Sequence, residues 1–130
     1  MFKNILKKTY LIFNKVKVVH SIPGRIRLFI PSLDEFPEQM KKHEGYITAI
    51  IKLKNGINSI EYSYLTSKIL IEYDKAKLKE QDIVDWLNKI WKIIVDNEEV
   101  YQGMSVDEVD KNVKKFYEML KSELEGRINQ

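Results

Sequence analysis

The chain contains no cysteine. That absence excludes disulfide scaffolds, thiolate zinc sites, iron–sulfur clusters, CxxC redox chemistry and cysteine nucleophiles. It also lacks any apolar run of 18 residues, so no segment reads as a transmembrane span. The amino terminus has neither a long apolar h-region nor an A-x-A cleavage site, and with the missing cysteines this gives the expectation of a cytoplasmic protein. Glycine and proline are sparse, at five and three of 130 residues, and no repeat, low-complexity tract or flexible linker interrupts the pattern. Signatures of catalysis are missing as well: there is no glycine-rich phosphate loop, no nucleophile elbow and no HExxH. The chain therefore reads as non-enzymatic.

What is present is ordinary globular material, 44% apolar and 32% charged, in a chain long enough to bury one core. Charge is unevenly spread. Residues 1–60 hold 11 Lys or Arg against 4 Asp or Glu, a balance of +7, whereas residues 61–130 hold 11 against 15, a balance of −4. Such a dipolar chain either steers an anionic ligand toward its first half or folds its acidic tail back on that half.

Residues 1–17 carry five lysines and no acid, with Phe2, Ile5, Leu6, Ile12, Phe13 and Val16 near helical spacing. This basic amphipathic segment reads as a peripheral membrane contact, as a docking peptide, or as an element packed on the domain. In Val16 to Leu33, Pro23-Gly24 separates two β-rich runs, and Ile26, Leu28 and Ile30 alternate with Arg25, Arg27 and Phe29. The arginines must then point away from the aliphatic face. A helical pattern follows through Met40, Tyr46, Ile47, Ile50, Ile51 and Leu53, with Pro37 in its first turn and Asn55-Gly56 as its stop.

Ile57 to Tyr64 and Lys68 to Tyr73 alternate with period two around Leu65-Thr66-Ser67 and predict a hairpin. Tyr62, Tyr64 and Tyr73 share their strand faces with isoleucines, which places them in the core and argues against a base-stacking platform for nucleic acid. Lys79 to Val95 carries Ile83, Val84, Leu87, Ile90, Trp91 and Ile94 on one stripe, and of its two tryptophans Trp86 is the one expected at a pocket or interface border. Val100-Tyr101 is a candidate fourth strand. Ser105-Val106-Asp107-Glu108 forms a capping box for a last helix, whose seam of Val106, Val109, Val113, Phe116, Leu120 and Leu124 packs on its own domain or pairs with a second copy through residues 106–124.

The fold class is α+β: a β-α-β-β-α core with a candidate fourth strand, plus terminal helices that can cover an open sheet face. The expected boundaries are a basic segment at 1–15, a domain at 16–102 and a carboxy-terminal helix at 103–130.

These residues suggest a family. VVHSIPGRIRLFIP, the helix leading into LKNGINSIEYSYLTSKILIEYD, and KLKEQDIVDWLNKI resemble a heavy-metal-associated domain. The likeness is to the divergent variety found near the amino termini of some metal-pumping P-type ATPases and as small stand-alone proteins, and it covers residues 16–95. The resemblance implies a ferredoxin-like sandwich and a role in metal trafficking. Standard members hold soft ions such as Cu(I) between two thiolates of a CxxC loop, and neither thiol exists here. His20-Ser21-Ile22-Pro23-Gly24-Arg25 resembles the histidine, proline, glycine and arginine signature of the divergent branch.

An imidazole and two guanidiniums there can converge on one ligand. Neutral imidazole ligates iron, zinc or copper, and guanidinium forks hold carboxylates or phosphates. The candidate site is therefore His20, Ser21, Arg25 and Arg27, with His20 as metal ligand and Met40 with His43 as a weaker soft-ion pair. The cargo is a metal ion or haem, with haem-dependent activity left open. Expected partners are a metal transporter or a second copy. The alternative is a metal-free adaptor docking a transporter, a shell or a second copy through the basic segment or the last helix.

Overall fold

Pro23-Gly24 folds as the tight turn of a hairpin in which β1 (Lys17–Ile22) and β2 (Arg25–Phe29) pair antiparallel. Gly24 adopts φ 89°, and a Cβ there would sit 3.2 Å from the Tyr73 carbonyl oxygen, so only glycine fits this turn without strain. A computed structural model of the protein describes residues 16–30, 33–97, 99 and 103–128.

Two 3₁₀ turns, Leu33–Glu35 and Glu38–His43, precede α1 (Glu44–Ile51). The helical pattern that begins near Met40 is therefore 3₁₀ at first and becomes α only at Glu44. Past α1, Gly56 at φ 107° accepts the Asp74 N–H at 2.7 Å, and a Cβ there would meet Leu78 Cδ1 at 2.9 Å. The chain then forms β3 (Ile57–Ser63), β4 (Lys68–Tyr73) and α2 (Glu80–Asp96), close to the spans the sequence predicts.

The sheet is antiparallel in the order β1-β2-β4-β3. The run β2-α1-β3-β4-α2 is the ferredoxin-like β-α-β-β-α unit of an α+β fold. Its fourth strand comes from upstream: β1 lies beside β2, and the candidate at Val100-Tyr101 falls outside the described residues. Tight hairpin pairing makes this the local solution, since antiparallel neighbours need only a two-residue connection.

One face of the sheet is buried. Ile26, Leu28, Ile69, Ile71 and Tyr73 form a single core with Ile83, Trp86, Leu87, Ile90 and Ile93 of α2. Each aliphatic side chain so buried contributes about 1.5–3 kcal/mol. Tyr62 and Tyr64 lie half-buried on this same side, as their alternation requires. The tryptophans exchange their expected roles. Trp86 is buried and donates its indole N–H to the Ile51 carbonyl at 2.9 Å, while Trp91 is the one half-exposed.

The Ser105 capping box forms, with Ser105 Oγ accepting the Glu108 N–H at 3.2 Å and the Glu108 carboxylate accepting the Ser105 N–H at 3.5 Å. The predicted single helix is in fact two, α3 (Val106–Lys111) and α4 (Val113–Ile128). Asn112 makes the break: its side-chain amide donates to the Glu108 carbonyl at 2.7 Å and competes with continued helix. α4 packs against α1 and α2, Leu124 is fully buried in the main core, and Val109 of α3 is buried beside Met40. Of the seam, Val109 and Leu124 are buried within the chain, while Val113, Phe116 and Leu120 are half-buried and line a cleft described below.

Candidate functional site

The opposite face of the sheet carries no element among the described residues, and strand register fixes what stands on it. Three rows cross it: Lys17, Phe29, Lys68 and Ser63; His20, Arg27, Leu70 and Glu61; Ile22, Arg25, Glu72 and Ser59. The Pro23-Gly24 turn sets His20 directly opposite Arg27. Directly opposed residues have Cβ atoms about 4.5–5.5 Å apart. Further along, a β-bulge between Val18 and His20 absorbs one residue of β1, so Lys17 faces outward and Val18 inward. Without it Lys17 would turn toward the core side.

The face thus gathers five cationic or basic side chains, Lys17, His20, Arg25, Arg27 and Lys68, against two carboxylates, Glu61 and Glu72. None of the five takes part in an ion pair or side-chain hydrogen bond among the described residues. Between them lie the apolar Phe29 and Leu70, half-buried, and Ile22, 46% exposed. A shallow depression of about 310 Å³ opens among Arg27, Glu61, Ser63, Thr66, Lys68 and Leu70.

Of the sequence candidates, His20, Arg25 and Arg27 come together on this face. Ser21 does not, because strand alternation turns it to the other side, opposite Ile26. Met40 and His43 lie on the helical side of the sheet. Met40 is core, 7% exposed. His43 shares a hydrogen bond with Asp110, whose carboxylate also accepts from Gln39 Nε2 and Lys42 Nζ, each at 3.1 Å. These contacts, His43 first, then Gln39 and Lys42, hold the Asp110 carboxyl down to about 2. The cluster clamps the 3₁₀ turn at 38–43 onto α3. Lys17, Phe29, Lys68 and Leu70 were not legible as site residues, because their placement depends on which strands pair.

A second concavity lies on the helical side. This cleft, about 250 Å³, is walled by hydrocarbon and aromatic groups from the 33–40 segment, β3, β4 and α1 to α4. Of the tyrosines at its wall, Tyr62 shares a hydrogen bond with Thr48 at 3.0 Å and Tyr64 donates to Glu44 at 3.0 Å. Burial, the largest influence, pushes the Tyr62 hydroxyl up to about 12 despite the Thr48 bond, and burial with the Glu44 bond raises Tyr64 further still.

The donor set does not form a cage for a bare metal ion. There is no thiolate, and no group of three His, Asp or Glu side chains is close enough to hold one among the described residues. His20 stands alone with cationic neighbours, which disfavour a second cation and favour an anion.

Fold and composition together define a cysteine-free, ferredoxin-like α+β domain. Comparison with known families is specific on the next step: the family model "Heavy metal associated domain 2" matches residues 2–128, and the chain belongs to that family. The match extends the likeness seen in residues 16–95 to both terminal segments. No curated protein and no solved structure matches the chain. No helix among the described residues is long and apolar enough to cross a membrane.

Proposed function

We propose that the protein captures and hands on an anionic metal cofactor, haem being the concrete case, on the open face of its sheet. Membership in a heavy-metal-associated family supports a small binding module for metal cargo. The observation that carries the finer reading is the register: His20, Arg25 and Arg27 share one face that no element covers and form no ion pair among the described residues, beside Phe29, Leu70 and Ile22. His20 would supply an imidazole ligand. Arg25 and Arg27, with Lys68, would hold carboxylates through charge-assisted hydrogen bonds, and the apolar side chains would seat a flat ring. Bound haem supplies the iron chemistry, and the chain binds and orients it. An open site suits a carrier, since release to a transporter requires no opening of the fold.

The test is a haem titration of the untagged full chain followed by absorbance. A stoichiometric Soret shift is expected for the wild type, abolished in His20→Ala and weakened in Arg27→Ala. An identical shift in His20→Ala, or none in the wild type, would overturn the proposal, and metal analysis of the same samples after adding Cu(I), Zn²⁺ and Ni²⁺ tests whether a bare ion is the cargo instead.

A further inference from the structure

The depression toward the β3–β4 turn combines charge, hydroxyl groups and a fixed wall. Arg27, Leu70 and Glu61 cross the sheet in one row and Lys68 with Ser63 in the next, while Thr66 closes the end from the turn. Diagonal neighbours on a sheet stand about 7–8 Å apart, so the long side chains of Arg27 and Lys68 can both reach one group lying between them. Glu61 is two strands from Arg27, about 10 Å away, on the far side of Leu70. None of the three charged groups forms an ion pair among the described residues. We propose that this depression is an oxyanion seat, taking the carboxylate or phosphate group of a small molecule between Arg27 and Lys68.

The hydroxyls complete the seat. Ser63 and Thr66 share a hydrogen bond at 2.5 Å, which uses one of their two hydroxyl hydrogens. The second has no better acceptor among the described residues than the Ser63 carbonyl at 3.5 Å, beyond ordinary O–H···O range, and is available to a ligand. The wall is also set in advance. Ser67, buried and at φ 54°, receives the Ile30 N–H on its carbonyl at 2.7 Å; its hydroxyl donates to the Asp34 carboxylate at 3.1 Å and accepts the Asp34 N–H at 3.2 Å. The turn that carries Thr66 is therefore ordered before any ligand arrives, which spares the ordering cost of binding. Glu61 opposes an oxyanion from the far side and limits how much negative charge the seat accepts.

This goes beyond the carrier reading of the open face and does not rest on it, since neither a metal nor a flat ring is involved.

The experiment titrates inorganic phosphate, and separately acetate, into the full chain with no haem present, at constant pH, and follows backbone amide and arginine Nε–H signals. Saturable shifts are expected with at least one of the two anions, largest at Arg27, Ser63, Thr66 and Lys68, and the anion that binds more tightly identifies the preferred group. Arg27→Gln and Lys68→Gln should each weaken binding about tenfold, as loss of a charge-assisted hydrogen bond does. Glu61→Gln should tighten it about threefold, because it removes the one opposing charge. Shifts that never saturate, that sodium chloride alone reproduces, or that fall equally on remote lysines such as Lys75 and Lys89 would overturn the proposal, as would unchanged affinity in Lys68→Gln. A chain that binds haem yet ignores both anions would overturn this proposal and leave the carrier reading standing.

Discussion

The two faces of the sheet are built from alternate residues of the same strands, yet they obey different rules. Ile26 and Leu28 are fully buried, while Arg25 and Arg27, alternating with them, are exposed and without an ionic partner among the described residues. On the helical side the polar groups nearest the core are satisfied: the Trp86 indole by Ile51, the Tyr62 hydroxyl by Thr48, the Tyr64 hydroxyl by Glu44. On the open side, cations stand around apolar patches with no ion pair among the described residues. A fold needs the first arrangement, because an unsatisfied buried group costs about 1–3 kcal/mol. It has no use for the second, which is why the open face is where function is sought.

The comparison can be broken most severely at neighbouring residues. Leu28→Ala should cost about 2–5 kcal/mol in urea denaturation, the range for truncating a fully buried leucine, whereas Arg27→Ala should stay within about 0.5 kcal/mol, as surface changes do. Equal costs would mean that the open face is covered. Trp86→Phe should cost about 1–3 kcal/mol, since it removes the indole donor from the buried Ile51 carbonyl and leaves part of the ring volume empty.

Titration separates the two sides further. With its pKa raised from 10.0 to about 12, Tyr62 contributes stability that is complete below pH 10 and is lost as pH rises toward 12. Ultraviolet titration should therefore show Tyr62 ionising well after ordinary phenols, together with alkaline unfolding. The smallest effect belongs to the clamp between the 38–43 turn and α3. Asp110, lowered from 3.8 to about 2, contributes stability that is complete above pH 4 and lost as pH falls toward 2. Asp110→Asn should lower stability slightly in the neutral range and flatten that part of the acid unfolding profile, so that variant and wild type converge toward pH 2; a steeper acid limb in the variant would contradict the assignment.

Much of the architecture was legible because it rests on local periodicity. The alternation of Ile26, Leu28 and Ile30, the period-two hairpin at 57–73 and the stripe from Ile83 to Ile94 each declare their element within a few residues. What was not legible depends on long-range choices. The partner of β2 could not be read from its own sequence: the two β-rich runs flanking Pro23-Gly24 pair as a hairpin, and the candidate strand at Val100-Tyr101 lies outside the described residues. Asn112 looked like one polar residue among many until its amide took the Glu108 carbonyl. Trp86 and Trp91 differ by an angle round α2 that only the packing of α1 resolves. At the site, residue types picked out His20, Arg25 and Arg27, but register was needed to remove Ser21, to separate Met40 and His43, and to add Lys17, Lys68, Phe29 and Leu70.

The burial of Leu124 has a consequence for how the chain is made. The β1–β2 hairpin closes over a two-residue turn and can pair as soon as it leaves the ribosome, but the core it faces stays unsealed until α4 has been synthesised. During that interval Ile47, Ile50 and the inner stripe of α2 face water, the condition in which nascent chains aggregate or recruit chaperones. A ribosome stalled before Leu124 should therefore carry a chain with native-like strands and an open hydrophobic flank, sensitive to protease on its helical side and resistant across its sheet.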